Sequence, residues 1–169
     1  MGQPGASQPG ASQPVIATDD PLRADVRALL TRHLSFMRSQ SPPENVFALD
    51  TEGLLEAAVT FYTCRREGQL LGMGALRELS PSHGELKSMH TAESERGTGI
   101  GRMMLAYLMA VARDRGYRRL SLETGSMAGF ERARRLYTAA GFVACGPFGD
   151  YPDSPHSTFL TRELQPPAA

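Results

Sequence analysis

Glu95-Arg96-Gly97-Thr98-Gly99-Ile100-Gly101-Arg102 is the stretch whose reading decides the architecture of this 169-residue chain. It lies between a strand-like run, Gly84 to Thr91, and a strongly periodic helical one that begins at Ile100. Three glycines at alternate positions let the backbone turn tightly and approach a ligand with no Cβ in the way. A helix that starts there presents unpaired N–H groups and a partial positive charge. Such a terminus suits an anion, a pyrophosphate in particular, and Arg96 and Arg102 can add charge-assisted contacts. Two nucleotide motifs fit poorly. A P-loop needs GxxxxGK[ST], and no lysine follows these glycines. A dinucleotide fold needs GxGxxG after its first strand, whereas the spacing from Gly97 reads GxGxG.

Working outward, Ile100, Met103, Met104, Tyr107, Leu108 and Val111 predict an amphipathic helix that ends near Gly116. Upstream, Val59 to Arg65, Gln69 to Leu79 and Gly84 to Thr91 read as three strands, with Glu67-Gly68 as a hairpin turn. No helix separates these strands, so they form an antiparallel meander. Before them, Leu22, Val26, Leu29, Leu30, His33 and Met37 follow a helical period from Asp20, and Ser41-Pro42-Pro43 ends it. A short second helix is expected over Glu44 to Ala48. Downstream, Arg118 to Glu123 is a strand and Met127 to Ala140 a helix, with Phe130, Ala133, Tyr137 and Ala140 on one stripe and Gly141 as its stop. Phe142 to Cys145 and Thr158 to Glu163 close the chain as strands. The order is β-α-α-β-β-β-α-β-α-β-β: an α/β (α+β) fold with a mixed, mostly antiparallel sheet of about six or seven strands and about four helices.

Residues 1–14 carry a tandem GASQP copy and no large apolar residue after Met1, and read as a disordered low-complexity tail. A single domain follows over 15–165, with a short tail at 166–169. The longest apolar run, Met103 to Ala112, falls short of the roughly 20 residues of a membrane helix. The first residues have neither the basic start nor the apolar core of a secretory signal, and Ala6 stands where a myristoylation motif wants Ser or Thr. Two cysteines, Cys64 and Cys145, without CxxC or a histidine cluster, imply neither a disulfide scaffold nor structural zinc. His33, His83 and His156 lack partners at metal spacing, so no metal is expected. A cytoplasmic protein is the expectation.

Charge is balanced overall but not along the chain. Residues 1–95 carry 8 basic and 12 acidic residues, 96–135 carry 9 arginines against three acids, and 136–169 carry Arg162 against three acids. A positive block between acidic flanks suits a compact polyanion better than a long nucleic acid. Around Arg113 to Arg119 the single aromatic, Tyr117, is too little interleaving to support nucleic-acid binding.

Arg96-x-x-Gly99-x-Gly101 resembles the R/Q-x-x-G-x-G/A motif of the GNAT (Gcn5-related) N-acetyltransferases. Ala133 to Phe142, with Leu136-Tyr137 and Gly141-Phe142, is similar to the family's A…LY…GF segment. Three further strings resemble a bacterial subgroup, the YsnE-like acetyltransferases: Ser41 to Glu44 (SPPE), Gly84 to Thr91 (GELKSMHT), and Leu120 to Tyr137 with Pro147 to Tyr151 (PFGDY). The resemblance runs from about Val15 to Leu164. It implies an enzyme that transfers the acetyl group of acetyl-CoA to a primary amine of a small molecule or peptide, by direct attack in a ternary complex. By the same resemblance, the turn Arg96, Gly97, Thr98, Gly99, Ile100, Gly101 and Arg102 holds the pyrophosphate. Met89, His90 and Thr91 border the pantetheine arm, and the Met89 N–H is the oxyanion donor. Tyr137 aligns with the tyrosine that protonates the departing thiolate. Phe130 stands near the start of the second helix, where many members carry an asparagine.

Deprotonation of the amine requires a base. Glu85, two residues before Lys87 on a strand facing the site, is the first candidate and Glu123 the second; a water relay is a third route. The loop Pro147 to His156, with Asp150, Tyr151 and Asp153, is expected to border the acceptor pocket, where an acidic rim would favour a cationic amine. A non-catalytic acyl-CoA-binding module on the same fold is the alternative function. The sequence names no acceptor and leaves a homodimer open.

Overall fold

The computed structural model describes residues 12–165, so most of the expected tail and all of 166–169 lie outside the described residues. Seven strands form one sheet: β1 Val15–Thr18, β2 Val59–Arg66, β3 Gln69–Ser80, β4 His83–Thr91, β5 Arg119–Gly125, β6 Val143–Ala144 and β7 Ser157–Glu163. Four helices accompany it: α1 Ala24–Gln40, α2 Thr51–Leu54, α3 Ile100–Asp114 and α4 Glu131–Ala139. The order along the chain is the one expected from the sequence. Across the sheet it is β1-β2-β3-β4-β5-β7-β6. Every neighbouring pair is antiparallel except β4 and β5, which run parallel.

Local chemistry explains the boundaries. Glu67 and Gly68 both take left-handed backbone angles, φ 49° and 81°, and close the β2–β3 hairpin in a two-residue loop. The turn before α1 is made by Asp20, whose side chain accepts the Leu22 N–H at 2.8 Å, so the helix proper begins at Ala24. The expected helix over Glu44 to Ala48 is not there. Pro42-Pro43 permits a single 3-10 turn at Pro43–Asn45, and the α-helix comes later, where Asp50 caps it by accepting from Gly53 N at 2.9 Å. Similarly, Ala128–Phe130 is a 3-10 turn, and α4 starts only at Glu131.

The sheet separates two apolar layers. On one face α3 and α4 cover Leu71, Leu76, Leu86, Leu120 and Leu122; on the other α1 covers Phe61, Met73 and Ala75. The buried stripe of α3 is rotated from the expected one. Ile100, Met104 and Leu108 are inside as expected, but Met103 is exposed, and Leu105, Met109 and Ala112 are buried instead. The helix packs on the sheet and also faces α4, so a second stripe is covered. No described helix is long and apolar enough to cross a membrane.

Gly84 is the middle residue of the parallel β4–β5 contact. A Cβ there would lie 2.6 Å from the Tyr117 ring, a rigid neighbour fixed by packing and by its hydroxyl donating to Glu78. Gly84→Ala should therefore destabilise the fold by about 1–3 kcal/mol. Thermal unfolding would show a midpoint lower by roughly 2–10 °C; an unchanged midpoint would mean Tyr117 moves aside freely.

Candidate active site

Gly97 and Gly99 adopt left-handed angles, φ 84° and 96°, that a side chain would strain. Gly99 is the residue before α3, and its carbonyl accepts the Met103 N–H at 3.0 Å. The amides of Ile100, Gly101 and Arg102 therefore point forward from the helix start with no intrahelical acceptor. A Ser, Thr or Asp at the cap would occupy one of them. Here the cap is glycine, no side chain caps the helix, and the first turn holds no acid. Arg102 even places a cation against the positive end of the helix dipole. An external anion answers all of these features at once. Thr98 Oγ1 donates to Glu95 O at 2.7 Å and locks the turn. Arg132 of α4 leans over it: a Cβ on Gly97 would lie 3.2 Å from its guanidinium.

The second element is a split in the sheet. β4 and β5 pair only at His83–Arg119, Gly84–Leu120 and Glu85–Ser121, then part. Past that point β4 bulges. Ala75 pairs with Lys87 and Met73 with His90, so Ser88 and Met89 share the single partner Gly74, and Ser88 takes φ 54°. A bulge leaves its extra residue outside the ladder. Gly74 permits it, since a Cβ there would sit 2.7 Å from Met89 Sδ. A cleft of about 950 Å³ runs through the split, walled by α3 and α4 on one face and by α1 and Phe47-Ala48 on the other.

The family model "Acetyltransferase (GNAT) family" matches residues 24–142. This chain belongs to that family. The acetyltransferase is similar to the uncharacterized N-acetyltransferase YsnE of Bacillus subtilis, at 45% identity over 88% of this chain and 99% of that one. It is 46% identical to the uncharacterized N-acetyltransferase YedL of Escherichia coli, over 88% of this chain and 94% of that one. In fold it is similar to a GNAT family acetyltransferase of Elizabethkingia anophelis solved with acetyl-CoA bound, with a TM-score of 0.67 and 18% identity, covering 89% of this chain and 98% of that one.

The acetyltransferase brings most of the expected residues to the cleft. Met89, His90, Thr91, Arg96, Gly97, Gly99, Gly101, Arg102 and Tyr137 all line it. Thr98 is engaged with Glu95, and the Ile100 side chain is buried, so Ile100 offers only its amide. Glu85 is misplaced for its expected role. It is fully buried away from the cleft wall; its Oε1 accepts from the Tyr151 hydroxyl and lies 3.6 Å from Lys87 Nζ. Glu123, the second candidate, does line the cleft. The loop Pro147 to His156 does not: Asp150 and Asp153 are exposed, and Tyr151 turns inward to Glu85 and Lys87. Among the described residues no three metal-ligating side chains come together.

Sequence reasoning missed three features. Lys87 Nζ donates to Tyr151 Oη at 2.6 Å and to Phe47 O at 2.9 Å, tying two loops to β4. Arg132 over the glycine turn had no motif to mark it. His33 and His90 meet across the cleft with Nδ1 atoms 3.2 Å apart. The only signal for this pair was a histidine on the apolar stripe of α1.

Burial dominates the electrostatics. It raises the Glu123 carboxyl above its ordinary value, with Glu85 adding to the rise. It also raises the Tyr137 hydroxyl, which stays protonated, and lowers Lys87. His33 falls to about 3, through burial and then His90; His90 falls to about 4, through burial and then Arg96 and Arg32. Both histidines are thus neutral near pH 7, one Nδ1–H donating to the other Nδ1. The unfolded chain protonates them near 6.5 while the native state resists. Their contribution to stability is complete above about pH 6.5 and is lost as pH falls through 4 and 3. The thermal midpoint should fall steeply over that window, and less steeply in a His33→Gln/His90→Gln double variant. Equal slopes would contradict the assignment.

Proposed function

We propose that this acetyltransferase moves the acetyl group of acetyl-CoA onto a primary amine by direct attack, with both substrates held in one cleft. The observation that carries the reading is a cleft that crosses the sheet at the β4/β5 split and has acceptorless amides at one end. The bound acetyl-CoA of the Elizabethkingia acetyltransferase supports the choice of donor. The amides of Ile100, Gly101 and Arg102, with Arg96 and Arg132, hold the pyrophosphate; the open edge of β4 at His90 and Thr91 borders the pantetheine arm.

The reaction forms a bond from the amine nitrogen to the acetyl carbon and breaks the carbon–sulfur bond. The Met89 N–H, set apart from the ladder by the bulge, donates to the thioester oxygen as negative charge develops there. Glu123 takes the amine proton. A carboxyl raised by burial is a stronger base than a solvated one, closer to the working pH. Glu85 is committed to Tyr151 and Lys87, so it positions rather than reacts. Tyr137 donates its hydroxyl proton toward the sulfur. An ordinary thiol titrates at about 8.5, well below the raised tyrosine, so full transfer waits until burial has also raised the thiolate's basicity.

Gly101→Glu tests the donor site cleanly. Gly101 has no left-handed angle, and a Cβ there meets only ordinary contacts, 3.4 Å to Thr91 Oγ1 and 3.6 Å to Leu136. A carboxylate in the first helical turn also suits the dipole. The free variant should melt at or above the wild-type temperature. Acetyl-CoA at about 100 times its dissociation constant should stabilise the wild type by roughly 2.7 kcal/mol and the variant not at all. Equal stabilisation of both proteins would remove the pyrophosphate from this turn.

The catalytic roles separate in kinetics. Tyr137→Phe and Glu123→Gln should each lower kcat by roughly 10²–10⁴-fold while the stabilisation by acetyl-CoA persists. With Glu123 intact, kcat/KM rises with pH through its elevated pKa, and that limb disappears in Glu123→Gln. Wild-type turnover in either variant would overturn that residue's role. Acetyl-CoA binding without thiol release for any amine would leave a non-catalytic acyl-CoA-binding module.

A further inference from the structure

We propose that the acceptor is a monoamine on a flat, apolar, uncharged body of the arylalkylamine kind, and neither a polycation nor an amino acid. The inference rests on the acetyl-transfer reading above and concerns the opposite end of the same cleft. The glycine turn and its arginines lie on the α3/α4 face. On the α1 face the walls are Phe36 and Met37 of α1, Phe47 of the following segment, and Phe130, which closes over from the start of α4. Phe36 meets Phe130 edge-on, with ring centroids 5.3 Å apart, and Phe47 meets Tyr151 edge-on at 5.2 Å. Rings that line a cleft offer an acceptor ring edge-on or offset packing.

The charges at this end exclude the alternatives. Glu123 is the one carboxylate of the cleft on this side; the other, Glu95, belongs to the glycine turn. An acceptor with several ammonium groups would bury all but one of them without a partner. The acids that would have welcomed such an acceptor, Asp150 and Asp153, are exposed and do not line the cleft. The two histidines facing the cleft are neutral near pH 7 and supply no compensating charge. A carboxylate on the acceptor fares no better. The lysine on this wall, Lys87, donates to Phe47 O and Tyr151 Oη and sits 3.6 Å from the buried Glu85, so its charge is already matched by a carboxylate of the protein. One amine against Glu123 and one ring among the phenylalanines match the charge and the apolar walls at this end.

The test measures thiol release from acetyl-CoA with 2-phenylethylamine, n-propylamine, spermidine and phenylalanine at equal concentrations. The kcat/KM for 2-phenylethylamine should exceed each of the others by roughly 100-fold, the scale on which apolar pockets discriminate. Phe36→Ala and the milder Phe36→Leu should raise the KM for 2-phenylethylamine, by about tenfold in the alanine variant. Both should leave the n-propylamine rate and the acetyl-CoA thermal shift unchanged, which also reports that they fold. A best rate with spermidine, n-propylamine or phenylalanine overturns the proposal while acetyl transfer stands. No thiol release with any of the four, in protein that acetyl-CoA stabilises, overturns both.

Discussion

The parallel pairing of β4 with β5 lasts for three residues, and the rest of the molecule is arranged around its failure. A continuous ladder would have satisfied the backbone groups of both strands and sealed the sheet. Pairing instead stops at Glu85 and Ser121, just before the bulge at Ser88 and Met89. Backbone groups that cannot pair with a strand must find water or a ligand. The split is thus both an opening through the sheet and a pair of recognition edges. What keeps it from collapsing is the packing on either side: α3 over one layer, α1 over the other, and Lys87, Tyr151 and Glu85 linked by hydrogen bonds on the floor.

The glycine turn is the complementary device. A helix normally begins with a residue that caps its own amides. This one begins with Gly99 in a left-handed conformation, carries no acid in its first turn and sets Arg102 against its own dipole. Each choice costs some stability in the free protein, and an anion bound there would offset that cost. In the proposed reading the donor's charged end and its reactive end meet different physics: helix dipole and amides at the turn, a strand bulge and buried side chains at the split.

Much of this was legible in the sequence. The eleven-element order follows from periodicity and from Gly/Pro punctuation, because long runs such as 100–111 and 59–79 are locally unambiguous. The shape of the glycine turn was readable because glycine is the residue that left-handed angles such as those at 97 and 99 favour. The failures share a cause. The helix expected at 44–48 fell to the Pro42-Pro43 pair and to a cap at Asp50 whose partner, Gly53, is not a helix-forming signal. The α3 stripe was rotated because a helix facing both a sheet and α4 buries more than one period can show. Glu85 was read as a base because alternation places it on the correct face. Alternation does not say that Tyr151, 66 residues later, folds back onto the same carboxylate and shields it from the cleft. The His33–His90 contact likewise spans 57 residues and has no local signature.

The central claim is that unpaired amides at the start of α3 and at the β4 bulge receive the donor. Backbone amide resonances report this directly. Titrating coenzyme A into ¹⁵N-labelled protein should move the amide signals of Ile100, Gly101, Arg102 and Met89 downfield, as new hydrogen bonds form, and leave those of β1 and β6 in place. Saturable binding with those four signals unmoved would contradict the account and place the donor elsewhere on the molecule.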